Sequence, residues 1–167
     1  MTPIATRVII EAHHMLDLYD EFAALIGALE GKRVPYAVCG GLAMAIHGMP
    51  RATIDVDLLV PPEVAARILE LAGGLGYTIP AHPMSFAEGA VEIRRVTKID
   101  PASDDLLSLD LLLVTPAMTD VWSTRIQVAW EGGTVHVVSK AGLIKLKKLR
   151  SSGQDLDDIK KLEEAEP

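Results

Sequence analysis

Apolar positions along this chain recur in two rhythms. From Met15 to Leu29, the residues Leu18, Phe22, Leu25, Ile26 and Leu29 follow helical spacing, which predicts an amphipathic helix over about 15–30 that Gly31 ends. Tyr36–Cys39 reads as a short strand. Gly40-Gly41 then turns the chain into a helix through Ile46, closed by Gly48 and Pro50. Thr53–Val60 is a second strand, ended by Pro61-Pro62, which pre-set a helix to about Leu71. A short strand is expected at Tyr77–Ile79 and a loop over Ala81–Gly89. Val91–Ile99 and Leu106–Val114 read as strands, joined by a turn at Asp100-Pro101 and Ser103–Asp105. A short helix runs from Thr115-Pro116 through Trp122. A hairpin, Ile126–Trp130 with Thr134–Val138, turns at Glu131-Gly132-Gly133. Ser139 suits the cap of a helix over Lys140–Arg150, and Ser151-Ser152-Gly153 separates it from a last helix, Leu156–Glu164. The expectation is one mixed α/β (α+β) domain over 1–167: a core at about 36–138, an N-terminal helix and a helical C-terminal extension over 139–164.

The second strand carries the candidate chemistry. Alternation puts Arg51, Thr53, Asp55 and Asp57 on one side and Ile54, Val56 and Leu58 on the other. The second set is apolar and reads as the core side, so two acids project together from the opposite side. Asp110 interrupts the apolar strand Leu106–Val114, where a lone ionised acid is expensive. If the two strands are neighbours, Asp110 completes a three-carboxylate cluster; otherwise it pairs with Arg94 or Arg95 or caps a turn. Two like charges about 4 Å apart repel by roughly 4 kcal/mol at an effective dielectric near 20. Three acids at one spot therefore force at least one pKa upward unless cations are present, and an all-oxygen set suits Mg²⁺ that also holds phosphates. Gly40-Gly41, entering a helix from a strand, leaves backbone N–H groups open to an anion and no Cβ to keep it away.

Composition narrows the setting. The chain has 167 residues, 49% of them hydrophobic, and a mean hydropathy of +0.26, enough for one sizeable core. A single cysteine, Cys39, excludes an intrachain disulfide and a cysteine zinc cage. No run reaches about 20 apolar residues, so no membrane span is expected, and a cytoplasmic protein is the default. The net charge of −7 argues against broad wrapping of nucleic acid. Lys140, Lys145, Lys147, Lys148 and Arg150 nevertheless form a basic run, either a solvated face or a set of phosphate contacts.

Cys39-Gly40-Gly41, the short helix to Gly48, Arg51-x-Thr53-x-Asp55-x-Asp57 and the later Asp110 together resemble the nucleotidyltransferase fold of the DNA polymerase β superfamily. Within it the chain is most similar to small bacterial abortive-infection nucleotidyltransferase toxins. Leu143-Ile144-Lys145-Leu146-Lys147 and Asp155-Leu156-Asp157-Asp158-Ile159 echo their C-terminal helices. The resemblance implies an NTP substrate whose triphosphate lies on the Gly40-Gly41 amides, and a two-metal Mg²⁺ site on Asp55, Asp57 and Asp110. It implies Lys145 as the phosphate-neutralising cation, with Asp155 or Asp158 orienting it or touching the acceptor. Arg51 either contacts phosphate or pairs with Asp55, the structural role being favoured, and Thr53 satisfies nearby backbone or Arg51. Gly41 stands where many members carry Ser, and Gln154 precedes Asp155 where Arg or Lys is common.

The acceptor is then an RNA such as tRNA, or a protein hydroxyl, and the partner a cognate antitoxin or toxin. Rival readings are an antitoxin-type protein adenylyltransferase, a catalytically silent nucleotide- or partner-binding module, and, more weakly, an antibiotic-modifying transferase. His13-His14 reads as a solvated pair, because adjacent helical positions do not face each other. His47 reads as satisfied by backbone, and Cys39, Trp122 and Trp130 as packing residues.

Overall fold

A computed structural model describes residues 16–130, 133–150 and 153–165. His13-His14, the first residue of the expected N-terminal helix and parts of the turns at 131–132 and 151–152 lie outside the described residues. Helix α1, Leu18–Gly31, buries Leu18, Phe22, Leu25, Ile26 and Leu29, and Asp17 caps it by accepting from the amides of Tyr19 and Asp20. Strand β1, Ala37–Cys39, runs straight into α2, Gly40–Ile46. Strand β2, Asp55–Val60, leads through a 3₁₀ turn at Pro62–Val64 into α3, Ala65–Gly74. Strands β3 (Ile79–Pro80), β4 (Met84–Phe86), β5 (Val91–Ile99) and β6 (Leu106–Leu113) follow. Helix α4 (Thr119–Ser123) and the hairpin β7 (Ile126–Trp130) and β8 (Gly133–Val137) precede α5 (Lys140–Arg150) and α6 (Gly153–Glu164).

The strands form one mixed sheet in the order β3-β5-β6-β2-β1-β8-β7, with β4 beside β5. Strands β2 and β6 are parallel neighbours at its centre, as the acid cluster requires, with Asp57 opposite Asp110. Strand β5 runs antiparallel to β6, and β1 antiparallel to β2. The Ser139 cap of α5 is present: its hydroxyl accepts from the Gly142 amide at 3.0 Å.

Three local expectations are corrected. The stretch 81–89 contains β4, because Met84 and Phe86 flank Ser85 in the alternation of a strand and pair with Ile93 and Val91. The preceding strand is Ile79–Pro80, shifted from 77–79. Strand β2 begins at Asp55, so Ile54 lies outside it and is 48% exposed, not core. Within β2 both faces are buried, Leu59 and Asp57 on one and Val56 and Leu58 on the other. The acid side is thus covered at Asp57 and half-open at Asp55.

Candidate active site

Strand register assembles the site. Cys39, Asp57, Asp110 and Arg95 stand side by side across β1, β2, β6 and β5, and residues in register share a sheet face. One residue pair along the strands, Ala37, Leu59, Leu112 and Ile93 make an apolar row; in the other direction Asp55, Ser108 and Thr97 make a polar one. The face changes from core to chemistry within a single strand pitch. Helix α5 lies over this boundary, with Leu143 and Leu146 lining one crevice together with Leu112, Asp57 and Gly40. Lys147 and Arg150, on the same helical face, border that crevice as well.

The three central carboxylates differ in how they are compensated. Asp110 is clasped by Arg95, whose Nε and Nη2 donate to its two oxygens at 2.7 and 2.8 Å. This bidentate pair raises the guanidinium pKa further. Among the described residues Asp55 and Asp57 form no ion pair. Burial, then the charges of Asp110 and Asp55, push the Asp57 carboxyl up to about 7. Burial and then Asp110 raise Asp55 as well, against the pull of Arg95 and Arg150. Cys39, next in the row, is buried, and burial followed by the Asp57 charge drives its thiol well above the ordinary value.

A second polar cluster ties the C-terminal helices to the site. Asp158, fully buried on α6, accepts from Arg51 Nε at 3.1 Å and from Lys147 Nζ at 2.8 Å, and Arg51 Nη2 stands 3.0 Å from it. Burial alone would raise the Asp158 carboxyl, but Lys147 and Arg51 outweigh it and hold it below the usual carboxylate value. Asp155, also buried, lies 3.8 Å from both Lys147 and Arg150.

The glycine pair has a steric reason beside any role toward an anion. Gly40 has φ +66°, and a Cβ there would overlap the Asp57 carboxylate. A Cβ on Gly41 would come within 2.7 Å of Thr53 Oγ1. The bare backbone lets Asp57 and Thr53 pack directly on the start of α2, whose first turn has no side-chain cap.

Asp55, Asp57, Asp110, Gly40, Gly41 and Thr53 are therefore brought together, and Arg51, Asp155 and Asp158 adjoin them. Lys145 is not: its ammonium donates to Asp120 at 2.7 Å on the exposed flank of α5. The cation facing the site is Lys147, 3% exposed. The reason is helical period, since Leu143, Leu146, Lys147 and Arg150 share a face that Lys145 does not. Arg51 pairs with Asp158 and not with Asp55. His47 does meet backbone, its Nε2 lying 2.8 Å from the Val138 carbonyl. Trp130 packs on Tyr19 and Phe22, and Trp122 stacks against Arg125.

The donor chemistry fits Mg²⁺: an all-oxygen pair, Asp55 and Asp57, each raised by burial and then by the Asp110 charge, and without an ion pair among the described residues. Among the described residues no three acid, histidine or cysteine side chains already converge on one metal position, and Asp110 has both oxygens on Arg95. No helix among the described residues is long and apolar enough to cross a membrane.

No protein-family model matches the sequence, and no curated protein is detectably similar to it. Solved structures are similar in fold. The antibiotic-resistance factor ANT(2″)-Ia, solved with adenylyl-2″-tobramycin, superposes with a TM-score of 0.57 at 14% identity over 84% of each chain. TM1012, a candidate nucleotidyltransferase from Thermotoga maritima, gives 0.56 at 16% identity over 92% of this chain and 94% of its own. A candidate nucleotidyltransferase from H. pylori gives 0.51 at 15% identity, over 83% of this chain and 63% of its own. At these identities the likeness is one of fold, and the fold is that of nucleotidyltransferases.

Proposed function

We propose that the chain is a Mg²⁺-dependent nucleotidyltransferase that moves an NMP group from an NTP to an acceptor hydroxyl. The observation that carries this is the placement of Asp55, Asp57 and Asp110 on one face of adjacent central strands, bordered by the cationic edge of α5, in a chain with the nucleotidyltransferase fold. Mg²⁺ would be held by Asp55 and Asp57, joined by Asp110, and would supply charge neutralisation on the triphosphate and polarisation of the reacting oxygens. The triphosphate lies along the Gly40-Gly41 amides at the uncapped start of α2. Lys147, held by Asp155 and Asp158, and Arg150 set positive charge beside it. Arg51 fixes Asp158 and so positions Lys147. In the transfer the acceptor oxygen bonds to the α-phosphorus, the bond to pyrophosphate breaks, and the hydroxyl proton passes to an Asp110 oxygen.

The acceptor we favour is RNA or a protein hydroxyl, with the enzyme the toxin of a toxin–antitoxin or phage-defence pair. The likeness to ANT(2″)-Ia, solved with an adenylylated tobramycin, supports a second acceptor class, a small polyamine alcohol. One experiment separates them. The protein is incubated with Mg²⁺ and each α-labelled NTP in the presence of total tRNA, cell protein or tobramycin. Label in tRNA or in one protein band upholds the first reading, and label in tobramycin moves the acceptor to the second. Intact NTP binding with no label in any of the three overturns both acceptor assignments, and no NTP binding overturns the nucleotidyltransferase reading itself.

A further inference from the structure

Two cavities flank the acid row and share Arg150. One, a narrow crevice of about 10 Å³, lies on the Gly40 and Asp57 side, beside the amides assigned to the triphosphate. The other, of about 220 Å³, lies on the β4–β5 side and is lined by Met84, Phe86, Ile93, Arg95, Asp110 and Arg150. That volume is several times the ≈30 Å³ share of one water, room for a ring system.

Its walls have a distinct chemistry. The chain has two phenylalanines; Phe22 is in the core, whereas Phe86 is 50% exposed at the cavity edge. Phe86 ends β4, and the chain leaves it through Ala87, Glu88 and Gly89, all with positive φ (51°, 55° and 89°). Two of these are not glycine, so the corner that presents Phe86 is held in a conformation L-residues seldom adopt. Opposite the apolar wall stand two guanidiniums and one carboxylate. Arg95 commits Nε and Nη2 to Asp110 yet remains 39% exposed in its side chain, leaving other N–H groups of its fork for an oxyanion. Arg150 is 43% exposed, with Asp155 at 3.8 Å. Such a lining repels a polycation and accepts a flat ring attached to an anion.

We propose that this cavity is the acceptor subsite and that its occupant is a nucleotide group, its base against Phe86 and its phosphate on Arg95 and Arg150, so that its sugar hydroxyl reaches Asp110. This deepens the nucleotidyltransferase reading and rests on it. The phosphate also gives Arg95 a second partner, which loosens its hold on Asp110 as the acceptor arrives. A polyamine acceptor has no comparable counterpart in this lining.

The test uses the full chain with ¹³C-methyl methionine, the Met84 resonance being assigned from Met84→Leu. The protein is first saturated with Mg²⁺ and α,β-methylene-ATP and is then titrated with AMP or, separately, with tobramycin. Saturable movement of Met84 by AMP is expected, with AMP weakened about tenfold in Phe86→Ala and retained in Phe86→Tyr, while the ATP analogue binds all three proteins alike. An unmoved Met84 with the analogue bound overturns the inference alone. So does equal AMP binding by wild type and Phe86→Ala, or movement by tobramycin in place of AMP. Failure of the α,β-methylene analogues of all four NTPs to bind overturns the nucleotidyltransferase reading and the inference with it.

Discussion

Asp57 is the residue on which stability and function pull apart. Its carboxyl is pushed up to about 7 by burial and by Asp110 and Asp55, so the folded chain holds this proton more tightly than the unfolded chain does. Below the ordinary carboxylate range both states are protonated and the site costs nothing. As pH rises toward 7 only the unfolded chain releases the proton, so metal-free stability falls; above 7 the cost is complete, roughly 4 kcal/mol. Asp57→Asn removes the charge and should flatten this slope. Urea denaturation in EDTA from pH 5 to 8 is expected to show the variant gaining on wild type with rising pH, and parallel curves would contradict the assignment. Gly40 gives the complementary test. Gly40→Ala places a methyl group on the Asp57 carboxylate at φ +66°, and should cost about 2–4 kcal/mol and weaken Mg²⁺–NTP binding. Gly48→Ala, at positive φ but with open space around it, should cost about 1–2 kcal/mol and leave that binding unchanged in calorimetry.

At the scale of elements, the two C-terminal helices meet through buried charge as well as apolar packing. On α6 the residues Asp155, Asp158, Ile159 and Leu162 are buried, an i, i+3, i+4, i+7 stripe in which the first two places are acids. On α5 the matching stripe holds Leu143, Leu146 and Lys147. Lys147→Met takes a cation away from the buried Asp158 and should destabilise by about 3 kcal/mol, whereas Lys145→Met, on an exposed pair with Asp120, should leave the urea midpoint where it is. Equal effects would contradict the placement of Lys147. This stripe was already present in the residue spacing, since a position four after Leu143 faces inward and one two after it does not. The motif resemblance drew attention to Lys145 instead. By contrast, nothing in the period of β5 distinguishes Arg94 from Arg95 as the partner of Asp110, because the choice depends on register with β6, a long-range fact. Strand β4 was hidden for a related reason: three residues among prolines and a histidine carry too little pattern, and pairing with β5 makes the strand.

Across the whole molecule, the strand with Asp55 and Asp57 lies parallel to the strand with Asp110, in the fold of nucleotidyltransferases. What pattern alone could not reveal is that α5 covers the acid face at Asp57, since helix docking is set by tertiary packing of Leu112, Leu143 and Leu146 and not by local period. Under that helix Asp57 is buried and Asp55 half-buried, neither with an ion pair among the described residues. The most direct measurement is transfer of α-labelled NTP, with Mg²⁺, to total RNA and protein by wild type and by Asp57→Asn, with the melting midpoint of each recorded alongside. Label from wild type is the expected result, with its loss, by at least about a hundredfold, in a variant that melts no earlier. Label retained by folded Asp57→Asn would contradict it.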